Sequence, residues 1–151
     1  MIAGGGAPAL GLDHVQLAAP PGGEGAARRF YGELLGLAEL DKPTGLRDRD
    51  GVWFALGDGR QLHIGIQQRF VAAAKAHPAL AAGDVGALHT LAGRLAGAGA
   101  PVRWDTALAG VTRFYTADPF GNRLELLAAG IAATLAPATP APATPAPERR
   151  E

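Results

Sequence analysis

Hydrophobic and polar positions alternate, then recur at helical spacing, then alternate again, and the chain runs through this cycle twice. From Leu10 to Ala19 the period is two, with Leu10, Leu12, His14 and Gln16 on one face and Val15 and Leu17 on the other. Pro20, Pro21, Gly22 and Gly23 end that strand. Over Glu24 to Leu35 the apolar positions Ala27, Phe30, Tyr31, Leu34 and Leu35 fall at helical spacing, and Gly36 is a natural stop. Three strand-like segments follow: a weak one over Leu37 to Leu46 and clear ones over Val52 to Leu56 and Gln61 to Ile66. The turn Gly57-Asp58-Gly59 joins the last two as a hairpin.

The second pass begins with a strand over His77 to Ala82. A helix over Val85 to Ala98 carries Leu88, Leu91 and Leu95 on one face; Gly97 and Gly99 close it, and Pro101 prevents its continuation. Strands over Val102 to Asp105, Thr112 to Thr116 and Asn122 to Leu127 complete the set. Gln67 to Ala76 reads as a linker with room for a helical turn. Each half is βαβββ, which predicts an α+β fold and argues against a bundle or a sandwich. The domain plan is a flexible N-terminus at 1–9, a first module at 10–66, the linker at 67–76, a second module at 77–130 and a tail at 131–151.

That tail is a different material. From Pro137 to Pro147 a proline recurs every two or three residues with no large apolar side chain between. Such a segment buries too little surface to offset its ordering entropy, so disorder is expected. The 151 residues are 48% hydrophobic overall, enough for one ordinary domain or two fused modules sharing a core. Fourteen basic and fourteen acidic residues balance, which removes any broad electrostatic pull toward nucleic acid or a membrane surface. Without cysteine there is neither a disulfide framework nor a thiolate metal site. With no membrane-length apolar run and no signal-like start, the expectation is a cytoplasmic protein.

Four residues carry the candidate chemistry: His14, His63, His77 and Glu125. His14 and His63 are 49 positions apart, His77 and Glu125 are 48 apart, and each lies in a strand-like run. Three imidazoles and a carboxylate form a donor set suited to a divalent transition metal. The repeated interval suggests a duplicated unit that contributes two donors per copy. Period-two alternation sets His63 opposite Leu62, Ile64 and Ile66, and Glu125 opposite Leu124 and Leu126. His14 opposes Val15 and Leu17, and His77 opposes Pro78 and Leu80, so all four face away from the apolar, helix-packed side. Trp53, Phe54, Trp104, Phe114 and Tyr115 are candidates for a pocket wall, with roughly two of the five expected there and the others in the core. Trp53, Arg113 and Tyr115 are the candidate substrate contacts, and Arg113 and Arg123 are both able to pair with an anion. His89 reads as a solvated helix residue. Glu33 and Glu39 are assigned no role, and Gly4-Gly5-Gly6 lacks the strand and lysine of a phosphate loop.

At these residues the chain resembles the vicinal oxygen chelate superfamily, which includes glyoxalase I, extradiol dioxygenases, fosfomycin- and bleomycin-resistance proteins and methylmalonyl-CoA epimerase. The matching pieces are Leu12-Asp13-His14-Val15-Gln16-Leu17, Arg29-Phe30-Tyr31-Gly32-Glu33-Leu34-Leu35-Gly36-Leu37, His77-Pro78-Ala79-Leu80, and Phe114 through Glu125 with its Asp118-Pro119-Phe120-Gly121-Asn122 turn. The resemblance covers about Leu10 to Ala128. It implies a cupped mixed sheet built from two βαβββ modules with helices outside, and a divalent metal (Zn, Ni, Fe or Mn) held by His14, His63, His77 and Glu125. Glyoxalase I most often has Glu where His63 stands, whereas the dioxygenases and fosfomycin enzymes use two His and one Glu, matching His14, His77 and Glu125. The activity implied is that of a glyoxalase-like, metal-dependent lyase or isomerase of a small oxygenated molecule, with Glu125 also the proton-shuttling base. The alternatives are a non-catalytic antibiotic-binding protein of the bleomycin-resistance type and an extradiol-type dioxygenase. A homodimer and a small-molecule substrate or drug are the implied partners; modules pair within one chain or between two.

Overall fold

Two four-stranded mixed sheets, each with a helix, make up the computed structural model, which describes residues 10–129. The first module holds β1 (His14–Ala19), α1 (Glu24–Ala27), a π-helical segment (Arg28–Leu34), β2 (Glu39–Leu40), a 3-10 turn (Thr44–Leu46), β3 (Val52–Ala55) and β4 (Gln61–Ile66). The second holds β5 (Ala79–Ala81), α2 (Val85–Gly97), β6 (Arg103–Asp105), β7 (Arg113–Ala117) and β8 (Arg123–Leu127). Their strand orders correspond: β1-β4-β3-β2 and β5-β8-β7-β6. In each the first strand pairs parallel with the last, and the remaining neighbours are antiparallel. The duplicated βαβββ pattern is therefore the architecture. The expected N-terminal and C-terminal segments, 1–9 and 131–151, lie outside the described residues, as does residue 130.

One apolar core runs through both modules. Val52, Phe54, Leu62 and Ile64 from the first sheet join Phe114, Leu124 and Leu126 from the second, with Ala27, Phe30, Tyr31, Leu88 and Leu95 from the helical segments. The helices cover this side and meet one another, where Arg94 Nη1 donates to the Leu34 carbonyl over 3.0 Å. A buried polar knot adds a second joint. Tyr31 Oη donates to Asp118 Oδ2 over 2.7 Å, and Asn122 Nδ2 donates to the Ala18 carbonyl over 2.8 Å. Burial pushes the Tyr31 hydroxyl far above its ordinary range, and the Asp118 carboxylate adds to the effect, so the phenol remains a donor.

Several elements differ from the sequence reading. The first strand starts at His14, not Leu10, and Leu10 and Leu12 are exposed. The first helix is α-helical only to Ala27; beyond it Leu35 N donates to Phe30 O and Leu37 N to Tyr31 O, the wider spacing of a π-helix and its exit. Phe30 and Tyr31 are buried as the helical spacing requires; what the spacing does not show is the widened turn itself. Only Glu39–Leu40 of the weak Leu37 to Leu46 segment is strand, because a 3-10 turn interrupts it at Thr44–Leu46. His77 precedes its strand, which is limited to Ala79–Ala81, and 67–76 holds a turn at 68–69 but no helix. At Gly51 a positive φ of 94° and a close approach to the Ile64 carbonyl both require glycine: a Cβ there would lie 2.2 Å from that oxygen. Among the described residues no helix is long and apolar enough to cross a membrane.

Candidate metal centre

The face of each sheet that the helices leave uncovered carries the candidate residues, as the alternation requires. Leu62 and Ile64 point into the core while His63 points away; Leu124 and Leu126 do the same around Glu125. Of the five aromatic candidates, Phe54 and Phe114 are core, whereas Trp53 and Tyr115 stand on the uncovered faces. Trp104 is on the edge strand β6, 40% exposed and stacked on His89 at 4.5 Å, so His89 has an aromatic partner as well as solvent.

On the second sheet His77 and Glu125 come together, with His77 Nε2 3.1 Å from Glu125 Oε2. His77 Nδ1 lies 2.7 Å from the Lys75 carbonyl, an acceptor only, so the ring donates from Nδ1. Its Nε2 then meets a carboxylate either as the second N–H of an imidazolium or as a lone pair. In the second case a cation between the two acceptors removes their repulsion. A backbone carbonyl holding one nitrogen while the other is aimed at a site is the usual bearing of a metal-ligating histidine. The 3.1 Å contact brings the imidazole nitrogen and the carboxylate oxygen to one point, where both could serve as donors to the same ion. This pair fits a divalent ion.

Glu125 is held from the other side. Arg113 Nη1 donates to its Oε1 over 3.0 Å, and Arg113 Nη2 donates to Asp105 Oδ1 over 3.1 Å. Burial pushes the Glu125 carboxyl up, but His77, Arg113 and Tyr115 outweigh it and hold the group below the usual carboxylate range. Arg113, a candidate substrate contact, thus has both terminal nitrogens occupied and acts as a positioning residue for Glu125. Tyr115 packs edge-on to His77 at 5.4 Å and lies under Arg123 at 3.9 Å.

His14, His63 and Trp53 form a row across β1, β4 and β3 on the first sheet. The rings of His14 and His63 stack at 4.4 Å with 17° between planes, and those of His63 and Trp53 at 3.9 Å with 3°. An imidazole binds a metal in its ring plane, so two nearly parallel stacked rings do not aim at one ion. His63 Nε2 donates to Gln61 Oε1 over 2.8 Å, and the residue is 5% exposed. Burial, then the neighbouring His14, lowers its pKa, with Asp13 opposing, which keeps the ring neutral. His14 is exposed, with Nδ1 2.7 Å from Asp13 Oδ1.

The four candidate ligands are therefore gathered as two pairs on two sheets. Among the described residues no group of three or more His, Cys, Asp or Glu side chains is close enough to hold a metal ion. Two cavities, of about 520 and 620 Å³, lie on the helix side at the junction of the modules, and none of the four candidates lines either. The sequence reading missed three supports: Gln61 under His63, Asp105 behind Arg113, and the Lys75 carbonyl. Gln61 and Asp105 were open to discovery, since Gln61 shares a strand face with His63 and Asp105 pairs with Arg113 in the β6–β7 register. A backbone carbonyl has no sequence signature.

Solved structures similar to this chain include a relative of substantial identity. A glyoxalase family protein from Bacillus anthracis is 43% identical, with a TM-score of 0.73, covering 81% of this chain and 97% of that one. Lactoylglutathione lyase from Agrobacterium tumefaciens is 22% identical with a TM-score of 0.63, over 82% and 96% of the two chains. A glyoxylase/bleomycin resistance protein/dioxygenase domain from Frankia sp. EAN1pec is 22% identical with a TM-score of 0.65, over 80% and 98%. The last two show the fold alone. No family model matches the chain, and no curated protein does.

Proposed function

The chain belongs to the vicinal oxygen chelate superfamily of glyoxalases, bleomycin-resistance proteins and dioxygenases, and on that premise we propose that it is a metal-dependent lyase or isomerase acting on a small molecule with two adjacent oxygens. The observation that carries the proposal is the His77–Glu125 pair, with Nδ1 of His77 tied to Lys75 O and Nε2 facing the carboxylate at 3.1 Å.

In this reading His77 and Glu125 of one chain are two donors, and His14 of a second copy is the third. The pairing of donors on separate sheets supports a site completed by a homodimer, with each open sheet face supplying half. His63, stacked between Trp53 and His14 and bonded to Gln61, supports His14 from the side and is a fourth donor only if its ring turns. The ion would supply Lewis-acid stabilisation of negative charge on substrate oxygen. The chain's own residues do the rest. Glu125, ionised at neutral pH by its partners, accepts and returns a proton at Oε2. Arg113 fixes the orientation of the carboxylate, and Trp53 and Tyr115 border the substrate and keep water from it.

The row of parallel rings at His14, His63 and Trp53 favours a second reading, a protein that sequesters a flat drug without reacting with it. Calorimetric titration with Zn²⁺, Ni²⁺, Mn²⁺ and, without oxygen, Fe²⁺ separates the two. Stoichiometric uptake lost in Glu125→Gln is expected. Absence of uptake in the wild-type protein, with thermal stabilisation by planar aromatic cations, would leave the sequestration reading.

A further inference from the structure

Two arginines stand on the uncovered face of the second sheet, and the protein uses them differently. Arg113 donates from both terminal nitrogens, to Glu125 and to Asp105. Arg123 has no carboxylate: the arginine ion pairs among the described residues belong to Arg28, Arg60 and Arg113. Its Nε is buried without an acceptor among those residues, as is that of Arg113, so the two differ in their terminal nitrogens, which only Arg113 has engaged with carboxylates. What holds it is the ring of Tyr115, whose centroid lies 3.9 Å from the guanidinium carbon. A cation seated on an aromatic face is held in place without consuming its in-plane donors. A buried donor with no partner is uncommon in native proteins and calls for a ligand or a role.

Position gives this guanidinium its use. Arg123 precedes Glu125 by two residues on β8, and Tyr115, which pairs with Glu125 across the strands, touches both His77 and Arg123. Two residues of strand span about 6.6 Å. The planar fork therefore stands one short carbon chain away from the oxygens that Glu125 and His77 would serve. Such a fork, pre-set and unpaired, suits the bidentate capture of a carboxylate or a phosphate.

We propose that Arg123 determines specificity at this site by receiving an oxyanion, carboxylate or phosphate, carried by the substrate beyond its two adjacent oxygens. This rests on the reading of His77 and Glu125 as the reacting centre. It assigns the substrate class as small anionic hydroxy- or oxo-compounds, and it moves the anion contact from Arg113 to Arg123.

Binding to the metal-loaded wild-type protein, Arg123→Gln and Arg123→Lys is measured by calorimetry with two matched pairs of probes. Malate and lactate share an α-hydroxycarboxylate and differ in a distal carboxylate. Dihydroxyacetone phosphate and dihydroxyacetone differ in a distal phosphate. The wild-type protein is expected to favour the more highly charged member of one pair at least tenfold, and the pair that responds identifies the oxyanion. Arg123→Gln is expected to erase that preference with metal stoichiometry unchanged, and Arg123→Lys to restore part of it. Equal binding within both pairs by the wild-type protein, or a preference that survives in Arg123→Gln, overturns the assignment. If the wild-type protein takes up no metal, the metal reading fails separately, and inorganic phosphate on the metal-free protein still tests Arg123. Saturable phosphate binding weakened tenfold by Arg123→Gln supports the oxyanion site; equal or absent binding removes it.

Discussion

Tyr31 of the first module donates its phenolic hydrogen to Asp118 of the second over 2.7 Å, across 87 positions of the chain. Asp118 is 5% exposed and accepts from Tyr31 Oη, Phe120 N, Asn122 N and Asn122 Nδ2. The turn that leads into β8 and the π-helical segment are thus locked by one carboxylate, which fixes how the two modules sit together. Tyr31→Phe removes one of its donors without changing shape and should cost about 1.5–3 kcal/mol. Asp118→Ala leaves its donors buried without an acceptor and should cost more. Denaturant unfolding of the two single variants and the double variant gives the coupling; strictly additive losses would count against the lock.

Metal affinity should depend on Arg113 although it is not a proposed ligand. By orienting Glu125, it belongs to the supports whose removal typically lowers affinity about 10–100-fold. Arg113→Gln should fall in that range, with His77→Ala and Glu125→Gln losing more. His89→Ala, on the helix beside Trp104, should have no effect. Titrating all four variants checks the order.

Stability should fall on mild acidification because of His63. Its folded pKa lies below the ordinary value of 6.5, burial being the main cause. A depressed folded pKa means that the unfolded chain binds the proton more readily. The contribution is therefore complete above about pH 6.5 and is lost as pH falls through the folded value. His63→Phe keeps a ring between Trp53 and His14 but does not titrate. The stability of the wild-type protein relative to His63→Phe should decline from pH 7.5 to 5, measured by urea midpoints. A constant difference across that range would falsify the assignment.

Complementation tests whether a second copy completes the site. If His14 of one chain serves His77 and Glu125 of another, His14→Ala and Glu125→Gln homodimers each lose metal binding. Mixing the two and allowing exchange should regenerate one intact site in each mixed dimer, restoring up to half the wild-type stoichiometry of the dimers that exchange. Light scattering gives the assembly state in the same samples. Recovery must be absent when two Glu125→Gln preparations are mixed.

The duplication, the order of strands and helices and the face on which each candidate lies were legible along the chain. Alternation of side chains is a local property of extended backbone, so His63 against Leu62 and Ile64, or Glu125 against Leu124 and Leu126, follows from period two alone. The Gln61–Ile66 strand was read with its observed limits for the same reason. Local pattern failed where neighbours decide. The helix widens to π spacing over Arg28–Leu34, where Leu35 N reaches back to Phe30 O, and the strand after His77 pairs with β8 only over Ala79–Ala81, opposite Glu125–Leu127.

Distances between segments belong to packing, and there the tertiary structure decided. Near-equal intervals of 49 and 48 residues suggested four donors around one point, yet the shared core turns the two sheets so that each offers a pair. Alternation cannot distinguish a ring aimed at an ion from one stacked on its neighbour, as His63 is on Trp53, because both point to the same face. Nor can it tell which arginine is engaged. Arg113 is occupied because Asp105 lies directly across the ladder and Glu125 one strand over, whereas Arg123 has only an aromatic ring beneath it. The chain's periodicity determined which side chains share a surface; only the folding of distant segments against one core determined which of them touch.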